Sequence, residues 1–443
     1  MRLTVPELQI GNNEGFSPEK DLFQRKAFGE RLYNLISNSD ENLVLALDAQ
    51  WGEGKSTFIK MWAGENRNKS ERPLETIYFD AFENDYQKEP FLALASEIYE
   101  LLEDKLVDKK QEFKDKAAQV FKTFSRGVIK AGIRIGTAGV IDGTAIDKAE
   151  KEISTLVSEQ VDSIISSKFE SSKSDKLALK NFKLFLSDIA LKYTEGKRIV
   201  FVVDELDRCR PDFALELLEN IKHLFSVSGI TFLLVMNRSQ LEESVKCRYG
   251  NGIDSATYLQ KFINVWLSLP RSSGIYQQDD GIKYLRSSLN LMSVGKNILN
   301  DGTIQMLNAL VKYLKPSFRD IERILTYFAI IENSENRAMN EFYQDIMALV
   351  CFMKVVNPRI LDAVITKRAG CQELLDFLQL SVNSASLDDY ALKRLAVNIE
   401  FDLSSEDRRK EIEDDKLLSW FSRTPNDVIN YFYQQLNNIQ PVS

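Results

Sequence analysis

Histidine is nearly absent from this chain and cysteine is sparse, and these scarcities remove several kinds of chemistry at the outset. Among 443 residues there is one histidine, His223, and there are four cysteines, Cys209, Cys247, Cys351 and Cys371, with no Cys-x-x-Cys pair. A zinc site needs clustered thiolate or imidazole ligands, so none is expected. Scattered cysteines read as free, mostly buried thiols in a reducing compartment, and His223, on a helix after an acidic strand, reads as structural. Positive charge is not in excess either, because the formal net charge is -8. That balance argues against a nucleic-acid surface covering the whole molecule, although it leaves room for a local basic patch. The stretch Met1 to Pro6 lacks the apolar run of a signal peptide, so a cytoplasmic protein is expected. What the chain does have is 44% hydrophobic residues, enough for real cores over two or three domains.

The most informative segment is Leu43-Val44-Leu45-Ala46-Leu47-Asp48-Ala49-Gln50-Trp51-Gly52-Glu53-Gly54-Lys55-Ser56-Thr57, an apolar strand that breaks into a Gly-Lys-Ser loop. A loop that wraps a triphosphate needs inward-pointing backbone N–H groups and no side chains in the way, which Gly52 and Gly54 permit. Lys55 would reach the β and γ phosphates and Ser56 would hold Mg²⁺, while the helix expected to begin near Ser56 adds its positive dipole end. Residues 50–57, Gln50, Trp51, Gly52, Glu53, Gly54, Lys55, Ser56 and Thr57, are therefore the expected cradle for a nucleoside triphosphate. One departure is visible: the full Walker A pattern has glycine six residues before the lysine, and this chain has Ala49 there. A second element matches the first. Ile199-Val200-Phe201-Val202-Val203 reads as a buried parallel strand ending in Asp204-Glu205, a Walker B pattern. Asp204 would orient Mg²⁺ and Glu205 would polarise the water that attacks the γ-phosphate.

The run Asp204-Glu205-Leu206-Asp207-Arg208-Cys209-Arg210-Pro211, followed by Leu217 to Lys222, resembles the Asp-Asp-Leu-Asp-Arg-Cys signature of the KAP family of P-loop NTPases. Gln50-Trp51-Gly52 resembles that family's phosphate loop, Asp21 to Leu32 its N-terminal Asp-x-x-x-Arg segment, and Phe79 to Glu83 its strand with an aromatic turn. Tyr258 to Pro270 is similar to the segment before its lid, so the resemblance spans about residues 20–330. Glu205 replaces the usual second aspartate, and Asn237 stands where aspartate is frequent. The resemblance implies an α/β P-loop NTPase of the ASCE/STAND-like kind: a three-layer core with a parallel sheet, a large helical insert and an all-α C-terminal lid or bundle. It also implies ATP rather than GTP as the nucleotide and, since bacterial relatives include a phage-exclusion protein, a role in antiviral defence.

The expected organisation is residues 1–102 as the first part of the core, 103–196 as the insert, 197–270 as the second part, 271–334 as the lid and 335–443 as a C-terminal helical region. In the first part, 1–20 reads as an irregular polar arm and Asp21 to Ser37 as an amphipathic helix. The insert carries two helical stripes, Ile153, Val157, Val161, Ile164 and Phe169, then Leu177, Phe182, Phe185, Ile189 and Tyr193, which read as packing faces. Between them and the core, residues 127–143 are small, apolar and glycine-spaced where many relatives cross the membrane. Lys130, Arg134 and Asp142 interrupt that stretch, so it reads as a soluble segment with peripheral membrane contact as the alternative.

Gly229 to Asn237 reads as another buried strand, with Asn237 either a sensor that holds the attacking water or an ordinary capping residue. In the lid, Ser317 is the expected N-cap of a helix carrying Arg319, the first candidate for a phosphate contact, and Arg323, the second. Arg208 could instead serve a neighbouring subunit as an arginine finger. The expected site is thus Lys55, Glu205, Asn237 and Arg319 for catalysis and Ser56 and Asp204 for the metal. Insert and C-terminal helices would dock a partner protein or a second copy. Two other readings stay open: a nucleotide-gated scaffold with little turnover, and an AAA+-like ATPase acting on DNA.

Overall fold

The computed structural model describes residues 1–121, 174–271 and 279–437, apart from short breaks at 40, 70–73, 88, 106–108, 192–197, 294–300, 335–338, 381–388 and 414–426. The glycine-spaced segment 127–143, the stripe from Ile153 to Phe169 and Tyr193 lie outside the described residues.

Five strands form one sheet: β1 (Val44–Asp48), β2 (Glu75–Asp80), β3 (Ile199–Asp204), β4 (Ile230–Met236) and β5 (Val265–Ser268), in the order β2-β3-β4-β1-β5. All four pairings are parallel. β3 and β4 are buried along their whole length, which is why they read as continuous apolar runs instead of alternating ones. Alternate residues feed two cores. Val44, Ala46, Phe201, Val203, Phe232 and Leu234 face one side, and Leu45, Leu47, Val200, Val202, Leu233 and Val235 the other. The second side is covered by α1 (Lys26–Ser37) and α2 (Lys55–Arg67) through Leu32, Ile36, Phe58 and Trp62. The first is covered by α3 (Pro90–Lys105), α4 (109–121), α5 (174–191), α6 (Pro211–Asn220) and α7 (Arg238–Tyr249). This is the expected three-layer α/β P-loop fold, with β4 standing between the two strands that carry the motifs.

Within α5 the expected stripe is partly a packing face: Phe182, Phe185 and Ile189 are buried in the core, while Leu177 is exposed. The amphipathic helix expected from Asp21 begins later, at Lys26. Asp21 accepts from the amides of Arg25 at 2.8 Å and Lys26 at 3.0 Å, so a side chain, and not helical turns, satisfies those donors. After β5 the chain is helical: α8 (Ser255–Leu259) precedes that strand, and α9 (Asp280–Met292), α10 (Gly302–Leu314), α11 (Phe318–Ser334) and α12 (Glu341–Val356) follow it. They are joined by α13 (Pro358–Ile365), α14 (Cys371–Leu378), α15 (Tyr390–Leu403), α16 (Glu406–Glu413) and α17 (Val428–Asn437). One continuous apolar cluster runs from Leu285 to Leu436. α12 is its axis, buried without interruption from Asp345 to Met353, as expected of a helix hydrophobic on all sides. No helix of the described residues is long and apolar enough to cross a membrane.

The one charge inside that axis, Asp345, receives two bonds from Arg394 of α15, at 2.7 and 2.9 Å, and one from Asn398 at 2.8 Å. Burial lifts its carboxyl to about 6 despite the opposing pull of Arg394. Replacing Arg394 by methionine leaves that carboxylate buried and unpaired, with an expected loss of about 3 kcal/mol. The orphaned carboxyl then holds a proton more tightly folded than unfolded, so the loss is smaller at pH 5 than at pH 8. Urea unfolding of both proteins at the two pH values checks the sign.

Candidate nucleotide site

β1 delivers the chain into a tight loop whose two glycines are both left-handed, Gly52 at φ 79° and Gly54 at φ 76°. Gly54 is the N-cap of α2, so the free amides of that helix open directly onto the loop. Behind it stands Arg25, only 3% exposed. Its Nη1 donates to the Glu53 carbonyl at 2.9 Å and its Nε to the Pro270 carbonyl at 3.2 Å. Burial lowers the guanidinium pKa to about 10, against the pull of Asp280 and Asp21. Glu53 is itself buried and forms an ion pair with Arg271. Lys55 Nζ donates to the carbonyls of Ala49 at 2.6 Å and Gln50 at 3.1 Å. Burial depresses its pKa, and Asp207 and Asp204 work the other way.

The acids arrive from β3. Asp204 is fully buried and receives the Tyr78 hydroxyl at 2.6 Å and the Glu205 amide at 2.8 Å. Burial raises its pKa, and the nearby Tyr78 hydroxyl, Ser56 and the Glu205 amide oppose the rise. Tyr78 reaches it because β2 and β3 pair Tyr78 with Val202, two residues back along the same face. Glu205 lies in the left-handed region at φ 59°, unusual for a side chain of its size. Its carboxylate forms an ion pair with Arg208 at 2.8 Å. Burial raises the Glu205 pKa, while Arg208 lowers it. Trp51 turns back across the loop and donates its indole N–H to Asp207 at 2.5 Å.

The helical half closes the site from above. Ser317 and Asp320 cap α11 reciprocally, the Asp320 amide donating to Ser317 Oγ at 3.2 Å and the Ser317 amide to Asp320 Oδ2 at 3.3 Å. This fixes the first turn of α11 against the loop so tightly that a Cβ on Gly52 would lie 2.8 Å from Arg319 Cβ. Phe318 stacks on Phe23 at 4.6 Å and on Tyr284 at 4.7 Å, and those two rings also meet at 6.2 Å. Between core and helices lies a cleft of about 550 Å³.

Most of the expected residues meet there. Trp51, Gly52, Glu53, Gly54, Lys55, Ser56, Thr57, Asp204, Glu205, Arg208 and Arg319 all line the cleft. Gln50, Asn237 and Arg323 do not line it. Gln50 contributes its carbonyl to Lys55. Asn237 caps α7, its Oδ1 accepting from the Ser239 amide at 3.1 Å and hydroxyl at 2.8 Å. Arg208 is bound to Glu205 of its own chain. Sequence reasoning missed Tyr78, Asp207 and Arg271. Their roles depend on strand register and on loops meeting in space, for which no local spelling exists.

A parallel sheet in this order, with a Gly-Lys-Ser loop capping one helix and carboxylates at the end of the other motif strand, is the construction of a nucleotide-binding P-loop NTPase. The chain belongs to the KAP family, whose P-loop domain it matches over residues 25–352. Among curated proteins none matches this sequence. Solved structures similar to it include the Aeropyrum pernix ORC2 protein in its ADPNP-ADP complexes, at 14% identity, with 99% of this chain and 89% of that chain covered and a TM-score of 0.39. Another is the Aeropyrum pernix ORC1 protein in complex with DNA, at 13% identity, 90% and 94% coverage and a TM-score of 0.35.

Gly52 offers the sharpest test of this geometry. Alanine there meets both a left-handed backbone, costing roughly 1–2 kcal/mol, and the Arg319 backbone amide 3.1 Å from the added carbon. The expected result is a lower melting temperature and a loss of nucleotide affinity of about tenfold or more, read by calorimetric titration with ADP.

Proposed function

We propose that this protein binds ATP with Mg²⁺ and hydrolyses it, using the change at the γ-phosphate to shift the helical half against the core. The observation that carries the reading is the convergence of Lys55, Ser56, Asp204, Glu205 and Arg319 on one cleft. Lys55 and the α2 amides supply positive charge where phosphate charge would lie. Ser56 and Asp204 offer oxygen donors on the same cleft, the hard ligand type that Mg²⁺ prefers. When bound there, the cation would neutralise charge on the β and γ phosphates. Glu205 is the candidate base for water and Arg319 the candidate lid contact. Asn237, at the end of the strand between the two motif strands, keeps the sensor role open through its amide nitrogen. ATP over GTP, cytoplasmic location and antiviral defence rest on the family resemblance and composition.

One observation favours the rival reading of a nucleotide-gated scaffold. Glu205 is tied to Arg208 through one carboxylate oxygen, an ion pair that lowers its basicity toward water. A protein that turned over only after an activating partner moved Arg208 would have this geometry.

Steady-state ATP and GTP hydrolysis, with and without Mg²⁺, separates the two readings. Expected for the enzyme is Mg²⁺-dependent turnover that falls about 10²-fold or more in Glu205→Gln with binding kept, and loss of binding in Lys55→Ala. Because burial raises Glu205 in the free protein, the acid limb of kcat/KM lies above the ordinary glutamate range and activity climbs with pH through it. ATP binding by Lys55→Ala as tight as wild type would refute the site. Tight binding without turnover in any protein would support the scaffold.

A further inference from the structure

The segment before α1 has no regular secondary structure, yet it is attached at both ends and crosses the cleft between them. At one end it is held by the helical half. Arg2 N donates to the Met292 carbonyl of α9 at 2.9 Å, Asn333 of α11 bonds the Met1 carbonyl at 2.9 Å, and Val5 packs on the helical core. At the other it lies along the last turns of α2. Arg67 donates to the Asn12 carbonyl at 2.9 Å, Asn68 to the Asn13 carbonyl at 2.7 Å, and the Phe16 amide to Glu65 at 3.2 Å. Phe16 also packs on Phe58 at 5.7 Å. Closest of all is Gly64, where an added Cβ would lie 2.1 Å from the Glu14 carbonyl oxygen.

Between these anchors the arm forms one wall of the cleft. Leu8 and Ile10 line it together with Met61 of α2 and Leu291 of α9, Glu7 adds a carboxylate, and Phe23 lines the cleft beyond the second anchor. These apolar side chains offer a surface for a flat aromatic ring. Resting on the nucleotide-binding reading, we propose that residues 5–23 form the outer wall of the subsite for the nucleobase, and that nucleotide leaves when this arm lifts from α2. α2 thus presents its first turn to phosphate and its last turns to the arm. Gly64 lies nine residues after Lys55, about 14 Å along the helix axis. A change at Gly64 therefore acts on the arm without touching the phosphate loop.

Gly64→Ala tests this. Alanine suits the helix better than glycine, but its methyl collides with backbone atoms of Glu14, so the arm is the part that must move. Phe16→Ala releases the same anchor from the other side, by removing atoms. Gly252→Ala is the control, since nothing lies within 4 Å of a Cβ there. Full-length proteins are loaded with mant-ADP and chased with excess unlabelled ADP in a stopped-flow instrument. Trypsin cleavage after Lys20 reports whether the arm is released. The expected result is mant-ADP dissociation about tenfold faster or more in both arm variants, faster cleavage after Lys20, and wild-type behaviour in the control. Dissociation within twofold of wild type in both variants, with cleavage accelerated, would overturn the proposal. Absence of mant-ADP binding by the wild type would overturn the nucleotide-binding reading beneath it.

Discussion

Arg25 carries a full charge into the interior behind the phosphate loop, and a buried cation is tolerable only where the groups around it are arranged to hold it. Those groups come from four parts of the chain. Glu53 supplies a carbonyl from the loop, Pro270 one from beyond β5, Phe23 a ring face at 4.6 Å from the arm, and Asp280 a favourable charge from the first turn of α9. Displacing any of them exposes the cost of burying the guanidinium. The loop therefore keeps its shape only while the arm, the end of the sheet and the helical half stay together. Nη2 has no protein partner, although it is buried at the edge of the same cleft. Arg25 thus keeps a donor in reserve where four segments meet.

From this constraint follows the way the two halves touch. The helical half does not rest on the core through a broad apolar face. It meets the core through the first turn of α11, set on a glycine, and through a three-ring cluster in which Phe318, Phe23 and Tyr284 all touch one another. Tyr284 in turn donates to Glu322 one turn further along α11. Each contact is short and directional, so a small rotation of α11 would break several together. Contacts of this kind suit two discrete arrangements better than a gradual slide.

Legibility in the sequence followed the distance over which each feature is determined. The strands around Leu45, Val202 and Leu233 could be read because burial on both faces forces unbroken apolar runs. The loop at Gly52-Glu53-Gly54-Lys55-Ser56 could be read because its backbone demands glycine at fixed spacing. Ser317 as a cap could be read because capping is local. The helix start at Lys26 could not, since Asp21 intercepts the amides through its side chain while the apolar spacing runs on past it. Tyr78 was invisible for a different reason. Its bond to Asp204 depends on β2 and β3 pairing in one register, and 118 residues separate the ends of those strands that face each other in sequence, Asp80 and Ile199. The arm read as irregular and polar, and so it is in conformation. Its importance comes from Gly64, whose missing side chain makes room for Glu14.

The acids at the end of β3 show how one short segment can be both poised and restrained. Glu205 is held left-handed, its backbone carbonyl accepting from the Cys209 thiol at 3.7 Å and its carboxylate bound to Arg208. Arg208 ends the short 3-10 turn that starts at Leu206, and Asp207 in that turn takes the Trp51 indole. Trp51 belongs to the phosphate loop, and Gly52 beside it bears the weight of α11. A displacement of α11 that moved Gly52 would therefore reach Arg208 through Trp51 and Asp207, and with it the partner of Glu205. The first turn of α11 and the carboxylate of Glu205 are thus joined by three consecutive contacts, Arg319 on Gly52, Trp51 on Asp207 and Arg208 on Glu205.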